Sequence, residues 1–352
     1  MKLEEKASQI PNPVLSTRYV TRDEASELEA NLSFPIELGG KRGSRRGHAN
    51  ATKLNALALQ EVTKSDIKIE TVTNLFRLRQ LTNEKAVVHE SLNAFDKVIG
   101  QLKKLPRLSA QQEVSLSLFE IALEEARINE SEIFEEERKI EHYFHISTGH
   151  SLSEIQAFLP KPKKIWPSVR SVDSKEPSPE IKTLKSLTQL AHQELEIQKS
   201  NAWPDIKLGP SLAIEKEGGT NNKMYGLNLQ IPLSIFQVNG GGKSFAKSEL
   251  LRAKKNEQFA KDEEKHERFE QSKVYESAVS ILNRTMKQKV VDKKHKRIEK
   301  LYLRGVVSSS VFLESIRQKL SYLKSRNRRE LTAVKALWNI YKYDGLIFKE
   351  QI

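Results

Sequence analysis

An internal duplication constrains this chain more than any other feature. Leu32 to Pro35 matches Leu229 to Pro232, Gly39-Gly40-Lys41 matches Gly241-Gly242-Lys243, and Gly149 matches Gly345, all about 200 residues apart. Each half reads as two short alternating strands, a long helix, a turn and a second long helix. Residues 1–149 form the first repeat and 180–352 the second. Between them, 150–179 is a linker carrying Pro160, Pro162, Pro167, Pro177 and Pro179. A helix over Glu180 to Asn201 opens the second repeat. Only about ten residues precede Pro11-Asn12-Pro13, so the first repeat is expected to lack most of its opening helix.

The strands carry a period of two. Leu28, Ala30, Leu32, Phe34 and Ile36 alternate with Glu29, Asn31, Ser33, Pro35 and Glu37, and Tyr225, Leu227, Leu229, Ile231 and Leu233 repeat the pattern. Ile206, Leu208, Pro210, Leu212 and Ile214 form another strand, with a turn over Gly218 to Asn222. Pro13 to Thr21 alternates less cleanly and is expected to turn near Asp23 to Ser26. Strands of about nine to eleven residues with one apolar and one polar face suit an outer-membrane barrel. Four strands cannot close a barrel, so a membrane role demands oligomers, and three copies supply twelve strands. Periodicity alone leaves a second reading open, in which the hairpins cover an ordinary soluble core.

Long helices are predicted from near Gly43 to about Lys104 and from near Ser244 to about Leu303, roughly 60 residues or about 90 Å each. Ile67, Val72, Leu75, Leu78, Leu81, Val88, Leu92, Phe95 and Ile99 recur at spacings of three to five, the pattern of a helix packed along a partner. The chain reverses at Leu105-Pro106-Arg107-Leu108-Ser109 and at Arg304-Gly305-Val306-Val307-Ser308, with Ser109 and Ser308 placed to cap the returning helices. The predicted class is mostly α with a small β part: two long helical hairpins plus four strands.

Lysine and arginine total 59 against 46 acids, a net charge of +13. The excess is interspersed with acids, as in Lys261 to Glu270, which reads as solvated helix faces and not as a nucleic-acid surface. The absence of cysteine excludes disulfides, thiolate metal sites and a cysteine nucleophile. No run of about 18 to 20 apolar residues exists, so no transmembrane helix is expected. Met1 to Ile10 lacks the apolar stretch of a signal peptide, so export requires a leader outside this sequence.

Four local patterns imitate functional sites. Gly240-Gly241-Gly242-Lys243-Ser244 follows a strand and opens a helix, as a phosphate loop does, but Gln237 stands where the first glycine belongs. His142 and His145 share a helix face near His150, yet no cysteine or spaced carboxylate completes a metal set. Glu135-Glu136-Glu137 reads as a solvated face. The basic run Lys293-Lys294-His295-Lys296-Arg297 lacks interleaved aromatics and reads as an exposed surface near a helical turn. No cofactor, metal site or catalytic group is expected.

Pro11-Asn12-Pro13-Val14-Leu15, followed by Glu27-Leu28-Glu29 and by Phe34 to Arg42, resembles the first strand pair and turn of CzcC-type heavy-metal channels in the TolC-like outer-membrane efflux family. Trp203-Pro204-Asp205-Ile206, the strand from Leu229 to Leu233, Asn239 to Gly242 and Leu301 to Ser308 resemble later segments of that family in the same order. The resemblance implies a homotrimer whose strands share one twelve-stranded barrel in outer-membrane lipid and whose helices form a periplasmic tunnel. It implies two partners, a periplasmic adaptor and a proton-driven inner-membrane pump. Leu105, Arg107 and Leu108 on one turn and Gly305, Val306 and Val307 on the other would meet the adaptor, although Pro106 departs from a glycine-aliphatic turn. Gly39, Gly40, Gly241 and Gly242 would serve as strand-to-helix turns. A duct releases its cargo, so no high-affinity metal site is expected. The competing readings are a drug-exporting channel of the same type and a soluble coiled-coil scaffold with a basic surface.

Overall fold

The computed structural model describes residues 2–23, 25–163, 165–169, 176–236 and 238–352. Glu24 of the first predicted turn, Lys164 and 170–175 of the linker, and Gln237 of the phosphate-loop pattern lie outside the described residues. The first repeat contains α1 (Lys2–Ala7), β1 (Val14–Arg22), β2 (Ala25–Ile36), α2 (Lys41–Lys103) and α3 (Ala110–Thr148). A short helix in the linker, α4 (Leu152–Gln156), was not expected from its proline content. The second repeat contains α5 (Pro179–Ser200), β3 (Ile206–Glu217), β4 (Thr220–Gln230), α6 (Gly240–Arg284), α7 (Gln288–Leu303) and α8 (Ser309–Tyr343).

The chain forms two compact units, each drawing on both repeats: Met1–Thr63 with Pro177–Glu264, and Lys64–Glu176 with Lys265–Ile352. The first unit holds one antiparallel sheet in the order β1-β2-β3-β4. The hairpins join through β2 and β3, in register from Ala25↔Glu217 to Ile36↔Ile206. Pairing skips Leu32 and Ser33, opposite Gly209 and Pro210, because Pro210 has no N–H to donate. Gly209 admits the Leu32 carbonyl so closely that any side chain there would collide with it. The β3–β4 turn is only Gly218-Gly219, at φ +53° and +84°, the left-handed pair that a tight hairpin needs. Ile231 and Leu233 fall outside β4, contrary to the alternation: Lys207↔Gln230 is the last pair of the ladder, and Pro232 just beyond has no N–H with which to continue it.

The second unit is helical. Phe95, Ile99, Phe119, Leu123, Phe312 and Ile316 form one apolar cluster among α2, α3 and α8. Leu75, Leu78, Leu81, Val88, Ile133 and Phe144 form a second along α2 and α3. Across these helices runs a partly buried polar chain centred on the buried Glu84: Arg77 holds Glu84 at 2.8 Å and the more exposed Glu136 at 2.7 Å, and Asn327 donates to Glu84 at 2.7 Å. Gln80 donates to the Asn327 carbonyl at 3.1 Å, and Arg79 pairs with Glu330. An ionised Glu84 is tolerable without solvent only because Arg77 and Asn327 both serve it.

One expected helix is interrupted. The stretch expected to run unbroken to Leu303 stops at Arg284 and resumes at Gln288. Arg326 of α8 donates to the Leu282 carbonyl at 3.1 Å and to Thr285 Oγ1 at 2.6 Å, and the Tyr322 hydroxyl donates to the Met286 carbonyl at 2.6 Å. Carbonyls that a continuous helix would satisfy internally are taken up by a neighbour. The first-repeat counterpart, α2, is continuous for 63 residues, about 95 Å.

Candidate functional site: an open-edged sheet and two helical turns

Register fixes the two faces of the sheet. Tyr19 opposes Leu28, which opposes Ile214; Leu15 opposes Leu32; Phe34 opposes Leu208, which opposes Leu229; and Leu212 opposes Tyr225. These side chains share one face, while Arg18, Glu29, Asn31, Ser211 and Asn228 lie on the other. The apolar face is open to the surroundings, with Tyr225 and Leu227 each 81% exposed and Leu15 66%. β1 and β4 are the outer strands and have no strand partner on their far sides among the described residues. A large apolar face with two unpaired edges marks an association surface.

The strand-to-helix connections differ between the repeats. Gly39 and Gly40 turn the chain before α2 at φ +70° and +74°, and a Cβ on Gly39 would stand 2.5 Å from the Trp203 ring. Gly241 and Gly242 do not repeat that role, because they lie in the first turn of α6. The left-handed residue there is Asn239 at φ +51°, whose amide donates to the Gln198 carbonyl at 2.8 Å and to Gln198 Oε1 at 2.9 Å. Asparagine tolerates this conformation because its short polar side chain bonds locally. The glycine at 242 leaves room for that pair.

In the helical unit both reversals fall where the sequence places them. Leu105, Pro106 and Arg107 are exposed and Leu108 is half-buried; Gly305 and Val306 are exposed and Val307 is half-buried. Ser109 accepts from the Gln112 N–H and Gln112 Oε1 accepts from the Ser109 N–H, a reciprocal capping box. On the other turn Gly305, at φ +72°, closes α7: its N–H donates to the Tyr302 carbonyl at 2.8 Å and the Val306 N–H to the Leu301 carbonyl at 2.9 Å. Ser308 makes no side-chain cap bond. Below the turns Tyr302 stacks on Phe312 at 4.6 Å, and Phe119 packs against both.

Two long helical hairpins and one four-stranded antiparallel sheet decide the fold. This chain has the TolC-type outer-membrane channel fold. The Campylobacter jejuni CmeC outer membrane channel superposes with a TM-score of 0.70 at 13% identity, covering 98% of this chain and 79% of that one. The Vibrio cholerae outer membrane protein VceC gives 0.69 at 14% identity, covering 98% and 89%. CusC, described by its conformational changes on folding and transmembrane channel formation, gives 0.63 at 13%, covering 97% and 85%. In sequence the chain is 24% identical over 245 residues to the cobalt-zinc-cadmium resistance protein CzcC of Cupriavidus metallidurans, a match covering 67% of this chain and 57% of that relative. No family model matches the chain.

The structure separates the decoys. His142 and His145 are exposed on α3, and His150 lies past its end, 3.6 Å from Glu154. Lys293, Lys294, Lys296 and Arg297 are exposed as expected, but His295 is buried, stacked on Phe312 at 6.2 Å, with Nδ1 2.7 Å from Ser315 Oγ. Burial first, and then the nearby charge of Lys319, push its imidazole below the ordinary histidine value. His295 also lies beside Glu90 and Glu299. Sequence reading missed this grouping. His295 and Glu299 stand one helical turn apart on α7, which was legible, but Glu90 is distant in the chain.

Proposed function

We propose that the chain is one subunit of an outer-membrane exit duct in a tripartite efflux pump, conducting cargo passively and performing no chemistry. The sheet carries this reading. An apolar face with two unpaired edges cannot face lipid alone, whereas three copies joined edge to edge give twelve strands, lipid-facing outside and polar within. Long paired helices suit a tunnel wall, and exposed apolar side chains on the helices of the sheet-bearing unit, such as Phe245 and Phe259, suit neighbouring copies.

Kinship with CzcC supports divalent heavy-metal cations as cargo. The exposed turns, Leu105, Arg107 and Leu108 with Gly305, Val306 and Val307, suit a periplasmic adaptor, and energy comes from a proton-driven inner-membrane pump. The test is accumulation of zinc, cobalt, cadmium, copper and silver in a deletion strain, beside dyes and antibiotics, with the chain and an upstream-extended version supplied back. Selective metal accumulation reversed by complementation supports the duct. Sensitivity to organic compounds alone assigns a drug channel, and no phenotype favours the scaffold. Because the chain has no cysteine, cysteine pairs introduced along β1 and β4 are expected to crosslink it into closed trimers; ladders without a trimer end-point would refute the barrel.

A further inference from the structure

We propose that Glu90, His295 and Glu299 form a binding site for a divalent transition cation of the zinc class. The inference rests on the geometry of the helical unit and not on the duct reading. One donor atom from each residue lies within 4.8 Å of the other two. His295 and Glu299 are four residues apart on α7 and so share one face of that helix, while Glu90 comes from α2.

The histidine is built as a ligand. Its ring is buried and stacked on Phe312, and Nδ1 lies 2.7 Å from Ser315 Oγ; in the tautomer in which Nδ1–H donates to that hydroxyl, the Nε2 lone pair is left for a metal. Such an outer partner fixes the tautomer and orientation of metal-binding histidines. Glu90 is exposed and Glu299 half-buried, so one side opens to solvent and a water can complete a tetrahedron. Metal bonds of about 2.1 Å require donors about 3.4 Å apart, a closure that rotation of the two glutamate side chains supplies around a fixed imidazole. One nitrogen and two carboxylates select zinc-class ions over Mg²⁺ and Ca²⁺, which prefer oxygen alone.

A built-in competitor limits the affinity. Lys319 Nζ lies 2.6 Å from Glu90 Oε2 and 3.5 Å from Asp292 Oδ1. An arriving ion meets this ammonium and takes Glu90 from it, leaving Lys319 to Asp292. Binding is therefore readily reversed, unlike that of a closed structural site.

The experiment titrates Zn²⁺ calorimetrically into the purified full chain in detergent, with Co²⁺ absorption as a reporter of nitrogen–oxygen tetrahedral coordination and Mg²⁺ as control. One Zn²⁺ per chain is expected. His295→Gln and Glu299→Gln should each weaken it at least tenfold, and Ser315→Ala should weaken it by about tenfold. Lys319→Met should tighten it several-fold, which keeps the test decisive if a ligand variant folds poorly by circular dichroism. The double change His142→Gln with His145→Gln should leave it unchanged. Absence of stoichiometric binding in both the unaltered chain and Lys319→Met, or binding indifferent to His295→Gln and Glu299→Gln, would overturn the site. Zinc binding without rescue of efflux would remove the duct and leave the site; rescue without binding would do the reverse.

Discussion

The two helical hairpins share the order helix, turn, helix yet are held by different local chemistry. In the first, α2 is continuous, and its reversal lacks a left-handed glycine but has a complete capping box at Ser109. In the second, the matching helix is broken between Arg284 and Gln288, its reversal turns on Gly305, and Ser308 has no side-chain cap bond. Neighbouring residues of α8 serve both arrangements: Asn327 completes the buried network around Glu84 of α2, while Arg326 and Tyr322 take the carbonyls released at the break. A shared order of elements therefore specifies where helices lie and not how their ends or interruptions are satisfied.

The sharpest way to break this comparison is Arg77→Met, which strands the buried carboxylate of Glu84. It should cost about 3 to 5 kcal/mol, read as a fall in the urea midpoint of the helical circular dichroism signal. Next, Gly39→Ala combines a disfavoured φ with a clash on Trp203 and should cost about 3 kcal/mol. Its sequence counterpart Gly241→Ala sits in a helix with open space around it and should stabilise by up to about 1 kcal/mol. Opposite signs at duplicated positions are the expected result, and equal signs would mean that the connections are equivalent after all.

Arg326→Ala uncovers the Leu282 carbonyl and should cost about 1 to 2 kcal/mol. Hydrogen exchange should speed up over 283–290 and stay unchanged in α2; acceleration in both would show one cooperative unit. The smallest expected effect is at the caps, where Ser109→Ala should cost about 1 kcal/mol and Ser308→Ala only a few tenths, measured by the same melts.

Strand alternation, helical spacing and turn residues were legible because each depends on neighbours within a few positions. Ser109 and Gly305 were placed correctly for that reason. Gly241-Gly242 misled, because matching letters hid a change of mechanism: Asn239 had already made the turn, and only its bonds to Gln198 reveal it. The break at Thr285 to Lys287 carries no glycine or proline. Nothing local marks it, because the residues that stabilise it lie on α8.

By itself the sequence determined the four amphipathic strands and the two reversals, since hydrophobic period and backbone freedom are properties of short segments. Tertiary structure alone decided that β2 pairs with β3 to join the hairpins into one sheet. It also decided that α6 and α7 are separate, and that Glu90 meets His295 and Glu299. Each of these depends on groups far apart in the chain, whose meeting is fixed by packing and by the need of every buried polar group for a partner.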